Sequence, residues 1–130
     1  APAGSTAAPR TRPPAKIDWL RSEEQARARA ARDRRMLLID FAAEWCAPCQ
    51  EMDEKTFRDP DLASLLAQRY LALKIDVTEM TKEQEALLAR YRVKQLPVIL
   101  VLGPDGKELY RWTDFVAAGP MRDKLEQLRP

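Results

Sequence analysis

Histidine is absent from this chain of 130 residues, and cysteine occurs only twice, at Cys46 and Cys49. A protein zinc site needs about four nitrogen, sulfur or oxygen ligands, and it draws them mainly from these two residue types. A single cysteine pair without histidine therefore argues against a zinc site within the chain. No metal site is expected.

Long apolar runs are also missing. No stretch approaches the ~20 consecutive apolar residues of a membrane-spanning helix, and no signal-peptide pattern is present. Because the sequence begins at Ala1 rather than at methionine, this says nothing about a leader, an anchor or a further domain. The net charge is only +2, which gives no reason to expect nucleic acid or an anionic membrane as the main partner.

The composition is that of one folded domain behind a short tail. With 45% hydrophobic and 32% charged residues, the chain has the balance of a globular protein with a single core. Residues 1–15 are rich in proline and alanine and lack apolar periodicity, which indicates a disordered or extended linker. A frayed terminus explains the same composition. The domain is expected over residues 16–130.

The segment from Met36 to Cys49, MLLIDFAAEWCAPC, contains both cysteines. Its apolar start predicts a buried strand, and the proline in Cys46-Ala47-Pro48-Cys49 predicts the first turn of a helix. Free backbone N–H groups and the helix dipole favour a thiolate at such a helix start. They can lower a cysteine pKa from about 8.5 to roughly 3.5–7.5. The spacing of three also brings the two sulfurs close enough for a disulfide.

This arrangement predicts a dithiol–disulfide switch. An exposed Cys46 thiolate would attack a partner disulfide, and Cys49, one turn deeper, would resolve the mixed disulfide. The alternatives are a structural disulfide and half of a zinc site. A structural disulfide stabilises a protein mainly by closing a long loop of the unfolded chain. A disulfide across a gap of two residues would constrain the unfolded chain very little. A C-x-x-C pair beside a βαβ pattern is instead typical of thioredoxin-like redox proteins.

The segment IDFAAEWCAPCQEM resembles the active-site segment of the thioredoxin superfamily. The longer stretch CAPCQEMDEKTFRDPDLASLL is most similar to the C-terminal periplasmic domain of the DsbD family. In that branch a T-F-x-D-P segment follows the C-x-x-C helix, matched here by Thr56, Phe57, Asp59 and Pro60. The resemblance covers about residues 17–128. It differs from ordinary thioredoxins at Ala42, where they carry tryptophan, and at Ala72, where they often carry a lysine near the buried carboxylate.

Periodicity along the chain predicts a thioredoxin fold, with a mixed sheet and helices on both faces. The expected order begins with a strand at 17–19, a helix from Ser22 to about Arg34 opened by a Ser22–Gln25 capping box, and the strand at Met36. Parallel pairing is expected among these first strands. The further expected elements are helices at 47–55, 60–66, 81–91 and 120–128, strands at 70–77, 98–102 and 109–112, and a hairpin turn at 103–106.

Two further positions are expected in the catalytic site. Pro97 matches the place where thioredoxin-like proteins keep a cis-proline beside the disulfide, so the resemblance implies a cis bond that offers the Leu96 backbone to an extended substrate. The alternative is a trans proline that opens a strand. Asp40, expected at the end of its strand, lies in an apolar setting that should raise its pKa, so that it exchanges a proton with Cys49. An ordinary exposed strand-end aspartate is the alternative.

Modulating or substrate-contacting roles are expected for Trp45, Ala47, Pro48, Leu96 and Asp53. Asp53 follows Cys49 by four residues on the same helix face and matches an acidic residue that tunes the DsbD-type site, or it simply faces solvent. Trp45 would cover Cys46 or pack against the helix.

The resemblance implies a thiol:disulfide oxidoreductase that relays electrons, with no cofactor besides the Cys46–Cys49 disulfide. Its partners would be other thiol/disulfide proteins, namely a membrane-embedded reductant and a periplasmic thioredoxin-like acceptor. A monomer is expected, periplasmic or otherwise extracytoplasmic, either free or tethered to a membrane; a cytoplasmic location is the alternative. The alternative functions are a general thioredoxin, a reductase of cytochrome c maturation, or a redox-latched binding module without turnover.

Overall fold

The computed structural model describes residues 16–130, so the predicted linker at 1–15 lies outside the described residues. Strands and helices alternate along the chain before a terminal hairpin and helix. They are β1 (Trp19–Leu20), α1 (Glu23–Asp33), β2 (Met36–Ala42), α2 (Ala47–Glu54), α3 (Pro60–Arg69), β3 (Tyr70–Asp76), α4 (Lys82–Arg90), β4 (Val98–Leu102), β5 (Glu108–Trp112) and α5 (Ala118–Gln127). A short 3-10 turn, Thr56–Arg58, separates α2 from α3.

The sheet has the strand order β1-β3-β2-β4-β5, which places β2 at its centre. Strand β3 runs parallel to both β1 and β2, while β4 is antiparallel to β2 and to β5. The predicted parallel pairing of the first strands and the mixed sheet are therefore confirmed. The register sets Asp40 beside Lys74 of β3 and sets Phe41 beside Val98 of β4.

Every residue of β2 is buried, because helices cover both faces of the sheet. Its alternate side chains divide between two cores. Leu37, Ile39 and Phe41 pack with Ala26 and Ala30 of α1 on one face. Met36 and Leu38 pack on the other face with side chains of α2, α3 and α5, namely Met52, Leu62, Leu66, Met121 and Leu125.

Side-chain oxygens cap the starts of α1, α3 and α4. Asp59 accepts a bond from the Leu62 N–H at 2.9 Å and starts α3, as predicted. A complete capping box between Thr81 and Gln84 starts α4. At α1 the Gln25 N–H donates to the Ser22 side chain at 3.1 Å. Within residues 16–130 the predicted capping box is therefore only half formed, because the return bond from the Gln25 side chain is not among the contacts of α1.

The structure corrects three predicted positions. Strand β1 lies at Trp19–Leu20 rather than at 17–19, because its register is set by pairing with β3. Helix α5 begins at Ala118, two residues before Pro120, since proline is tolerated throughout the first helical turn. Asp40 is not at a strand end: β2 continues through Phe41 and Ala42, and it pairs with β3 as far as Ala42 and with β4 as far as Phe41.

None of the helices within residues 16–130 has the length and apolar character needed to cross a membrane.

Candidate active site

The Cys46–Cys49 pair forms a disulfide at the start of α2. Cys46 is the N-cap, Pro48 lies in the first turn, and Cys49 is the third helical residue. The Cys46 sulfur accepts a hydrogen bond from the backbone N–H of Cys49, with N and Sγ 3.3 Å apart. The N-cap position gives this sulfur one of the free N–H groups of the helix start, whereas the Cys49 sulfur lies past it.

The expected exposure of Cys46 is wrong for the disulfide form. Cys46 is 5% exposed and Cys49 is 3% exposed, because both pack in the core that includes Ala42 and Ala43. Ala47, between them, is exposed, and Pro48 is half-buried. Exposure therefore does not separate the two cysteines, whereas the hydrogen bond to the Cys46 sulfur does.

Trp45 is 60% exposed and is tied to the loop that follows β3. Its indole Nε1 donates to the Thr78 carbonyl at 3.1 Å, and the Glu44 N–H donates to the Thr78 hydroxyl at 2.9 Å. Met80, the other large exposed apolar side chain of the described chain, belongs to the same loop. Sequence reasoning missed Thr78 and Met80, because nothing local joins residues more than 30 positions apart. Whether Trp45 covers Cys46 stays a prediction.

The peptide bond between Leu96 and Pro97 is cis, as the resemblance implies. Pro97 directly precedes Val98, which pairs with Phe41 near the end of β2 that leads to Cys46. Leu96 is half-buried and packs against the core cluster that contains both cysteines. The fold thus brings the cis-proline turn to the same end of the sheet as the disulfide, and its contact with substrate stays a prediction.

Asp40 is 3% exposed, and burial raises its pKa to about 7. The ammonium group of Lys74 lies 3.5 Å from its Oδ2 and partly offsets this rise, while the negative charge of Asp53 adds to it. The expectation of a raised pKa agrees with this environment. A carboxyl group with a pKa near 7 can both accept and release a proton near neutral pH.

Lys74 joins Asp40 to Asp53. Its Nζ is 2.7 Å from Asp53 Oδ1 and 5.1 Å from the centre of the Trp19 ring, and its side chain is 13% exposed. Ala72 stands where ordinary thioredoxins often carry a lysine near the buried carboxylate, yet this site does not lack a lysine. Ala72 pairs with Leu38, whereas Lys74, two residues on, lies beside Asp40. The parallel register supplies the lysine, and a single sequence does not reveal that register.

Asp53 is therefore not a purely solvated side chain, since it is the partner of a mostly buried lysine. No three histidine, cysteine, aspartate or glutamate side chains group as metal ligands in the part of the chain that the structure describes. The arrangement at this end of the sheet thus consists of a disulfide at a helix start, a cis-proline, and a carboxyl–lysine–carboxyl cluster in which Asp40 is buried and Asp53 is partly exposed.

A family model described as Thioredoxin-like matches residues 18–104. The chain is 31% identical over 109 residues to a thiol:disulfide interchange protein DsbD of Campylobacter jejuni, covering 84% of this chain and 19% of that protein. The oxidised DsbD C-terminal domain of Neisseria meningitidis superposes with a TM-score of 0.74 at 28% identity, over 86% of this chain and all of that one. A thioredoxin of Thermus thermophilus gives 0.75 at 28% identity, over 86% of each chain.

The chain belongs to the thioredoxin-like family, and its fold and C-x-x-C disulfide are those of a thiol:disulfide oxidoreductase. Within that family it is similar to proteins named DsbD. It spans about a fifth of the length of the curated relatives it matches.

Proposed function

We propose that this domain relays reducing equivalents between proteins by dithiol–disulfide exchange at Cys46 and Cys49. The observation that carries the proposal is the disulfide at the start of α2, with the Cys46 sulfur accepting a helix-start N–H. An N–H that already bonds this sulfur in the disulfide would stabilise its thiolate after reduction. Similarity to the DsbD C-terminal domain supports the same chemistry.

The exchange has two steps. The Cys46 thiolate attacks one sulfur of a partner disulfide, forms a mixed disulfide, and releases the other partner sulfur as a thiolate. Cys49 then gives up its proton and attacks the Cys46 sulfur, which closes the Cys46–Cys49 bond and expels the second partner sulfur. Two electrons pass from the dithiol to the partner, and two protons end on the partner's thiols.

Asp40 is proposed as the group that takes the Cys49 proton, directly or through water. With its pKa raised to about 7 it is partly ionised near neutral pH, as a general base for this step requires. Lys74 and Asp53 are proposed to set the charge around Asp40, since Lys74 contacts both carboxylates. Leu96 and Pro97 are proposed to receive an extended partner segment, with Trp45, Ala47 and Pro48 forming the surface beside the sulfurs.

The partners we propose are other thiol/disulfide proteins, with a membrane-embedded dithiol as electron donor and a thioredoxin-like domain as acceptor. The proposed location is the periplasm. Both proposals are supported by the likeness to DsbD proteins, of which this chain matches about a fifth. Fractionation of cells that produce the full-length protein checks the compartment.

Reduction of insulin by dithiothreitol tests the proposed activity. The chain should accelerate insulin precipitation, and Cys46→Ser should abolish the acceleration. Asp61→Asn serves as the control, because Asp61 is an exposed residue of α3. A wild-type chain that binds insulin without accelerating its reduction would instead support a redox-latched binding module.

A further inference from the structure

An open groove of about 620 Å³ lies beside the cis-proline turn. We name it the basic groove, and define it by its lining residues Arg92, Lys94, Gln95, Val98, Glu108, Arg111 and Thr113. Val98 is buried and forms an apolar floor, while Lys94 and Gln95 are exposed. Residues 94, 95 and 98 bracket the Leu96–Pro97 bond, so this groove adjoins the turn at which we propose that a partner segment binds.

Two of the three cations of the basic groove lack an ion-pair partner. Arg111 is neutralised by Glu108, with an N–O distance of 2.9 Å, and also donates to the Tyr91 carbonyl at 2.7 Å. Arg92 and Lys94 are exposed, and neither makes an ion pair within residues 16–130. Glu108 is the one carboxylate of the groove lining against the three cations, so the groove keeps an excess of positive charge next to the proposed substrate turn.

On the other side of the disulfide, around Trp45 and the loop that follows β3, the exposed charged side chains are acidic. Glu44 and Glu79 are exposed there, beside the exposed apolar side chains of Trp45 and Met80. The bond from the Glu44 N–H to Thr78 holds these two segments together. The net charge of +2 for the whole chain does not reveal that the acidic and basic side chains lie on different sides of the disulfide. A partner segment thus meets positive charge on the Pro97 side and negative charge with apolar surface on the Trp45 side.

We propose that the basic groove is a docking site for an acidic, extended segment of the disulfide-bearing partner, and that Arg92 and Lys94 determine this preference. The inference rests on the proposed exchange function and names the substrate class for it. Opposite charges across an interface increase the association rate and reject partners of the wrong sign. The preference should therefore appear in the rate of mixed-disulfide formation, and it should weaken with added salt.

The kinetic test uses three ten-residue peptides with a central cysteine, each oxidised to its homodimer, with glutamate, glutamine or lysine flanks. The chain is first reduced with dithiothreitol and freed of it. Each rate of peptide reduction is divided by the rate at which dithiothreitol alone reduces that peptide, which corrects for intrinsic reactivity. Electrostatic steering should make the acidic peptide about fivefold faster than the neutral one at low ionic strength. At high salt the ratio should approach one.

The variant that tests the assignment is Arg92→Gln/Lys94→Gln, which should bring the ratio between acidic and neutral peptides close to one. Arg58→Gln/Lys107→Gln is the matched control. It removes the same amount of charge from two exposed residues outside the basic groove, and it should retain most of the preference. Equal ratios in the two variants, or no preference in the wild-type chain, would overturn the proposal.

A binding measurement separates failure of the groove from failure of the redox function. The acidic and neutral peptides, with serine in place of cysteine, are titrated into the isotope-labelled disulfide form while amide NMR shifts are followed. The acidic peptide should shift amides at residues 92–98, and the neutral one should shift them less. Equal or scattered shifts contradict the groove even if every peptide disulfide is reduced. Localised shifts support it even if none is reduced.

Discussion

Cys46 and Cys49 differ in their hydrogen bonding rather than in their exposure. Both are nearly buried in the disulfide, yet the Cys46 sulfur accepts a backbone N–H from the helix start. A hydrogen bond to a charged acceptor stabilises it more strongly than one to a neutral acceptor, so the bond favours ionisation at Cys46. The two sulfurs are therefore expected to have different roles, even though neither is well exposed.

The first prediction follows from that difference. Cys46→Ser should reduce the rate of disulfide reduction to background, whereas Cys49→Ser should still attack and should accumulate a mixed disulfide through Cys46. Non-reducing electrophoresis and mass spectrometry of the trapped species measure both outcomes. Trapping mainly through Cys49, in the Cys46→Ser variant, would reverse the assignment.

The Asp40 carboxylate is expected to destabilise the fold above neutral pH, because burial makes its ionisation less favourable in the folded state. Its pKa is about 7 in the folded chain against an ordinary value of 3.8. Below about pH 4 the carboxyl group is protonated in both states, and no penalty applies. Between about pH 4 and 7 the unfolded state ionises first, so stability falls as pH rises; above 7 the full penalty remains.

Asp40→Asn should therefore stabilise the disulfide form at pH 8 by about 2–4 kcal/mol, with a much smaller gain near pH 4. The reason is that asparagine is neutral at every pH, so the variant avoids the ionisation penalty. Urea denaturation at the two pH values measures the difference. A gain that is equal at both pH values would show that Asp40 does not titrate in the way its burial indicates.

The same substitution should slow the second step of exchange. Without a carboxylate at residue 40, Cys49 lacks its proposed proton acceptor, so the mixed disulfide should resolve more slowly near neutral pH, by about 10-fold or more. Stopped-flow kinetics across pH 6–9 measure this, with the exposed Asp61→Asn as control. Superimposable wild-type and Asp40→Asn profiles would leave Asp40 with a structural role alone.

Local sequence predicts those site residues that depend on local geometry. The disulfide spacing, the helix start and the apolar setting of Asp40 all lie within one short segment, and the cis-proline follows from resemblance. Lys74 and Thr78 escaped prediction because they reach the site through strand register and a loop contact over more than 30 positions. The predicted exposure of Cys46 is wrong because a residue at a helix start is exposed only where no other part of the chain packs over it. Here Cys46 is buried in the core that includes Ala42 and Ala43.

At the level of elements, prediction succeeded where apolar runs and caps mark a boundary. Strand β4 and the starts of α3 and α4 lie where the pattern placed them, since Asp59 and Thr81 cap those helices. Boundaries that depend on pairing with a distant strand differ from the predicted ones. Strand β1 has only two residues, and its limits follow from its contact with β3 rather than from its own sequence.

The connection between α2 and α3 is held by a buried hydroxyl. Thr56 is fully buried, and its Oγ1 donates to the Val116 carbonyl at 2.6 Å, which joins the 3-10 turn to the segment before α5. This contact gives a structural reason for threonine in the T-F-x-D-P segment. It fixes the exit of the helix that carries both cysteines against the last third of the chain.

Thr56→Val should lower the free energy of unfolding by about 1–3 kcal/mol, because it keeps the shape but leaves the Val116 carbonyl without its donor. Chemical denaturation at constant pH measures the loss. Thr113→Val is the control, since Thr113 is exposed, and its effect should be within about 0.5 kcal/mol. Equal effects at the two positions would contradict the role assigned to the Thr56 hydroxyl.

For the whole molecule, one small domain must exchange electrons and then release its partner. In the described part of the chain, the groove beside the cis-proline is open rather than an enclosed cavity. Protein–protein contacts of that kind are small and short-lived, and their specificity comes from fit and charge. We therefore expect the surface around the disulfide to determine which donor can reduce this domain.

The last prediction separates a relay domain of the DsbD type from an ordinary thioredoxin. Ala42, buried beside the site, replaces the aromatic residue of thioredoxins, and the 3-10 turn at Thr56–Arg58 reshapes the exit of α2. An NADPH-linked thioredoxin reductase should therefore reduce this domain poorly, at least about 10-fold more slowly than it reduces a thioredoxin in the same buffer. A DsbD-type membrane domain should reduce it efficiently. Coupled NADPH oxidation and thiol trapping measure the two rates. Efficient reduction by the first donor and none by the second would contradict the relay function and identify a general thioredoxin.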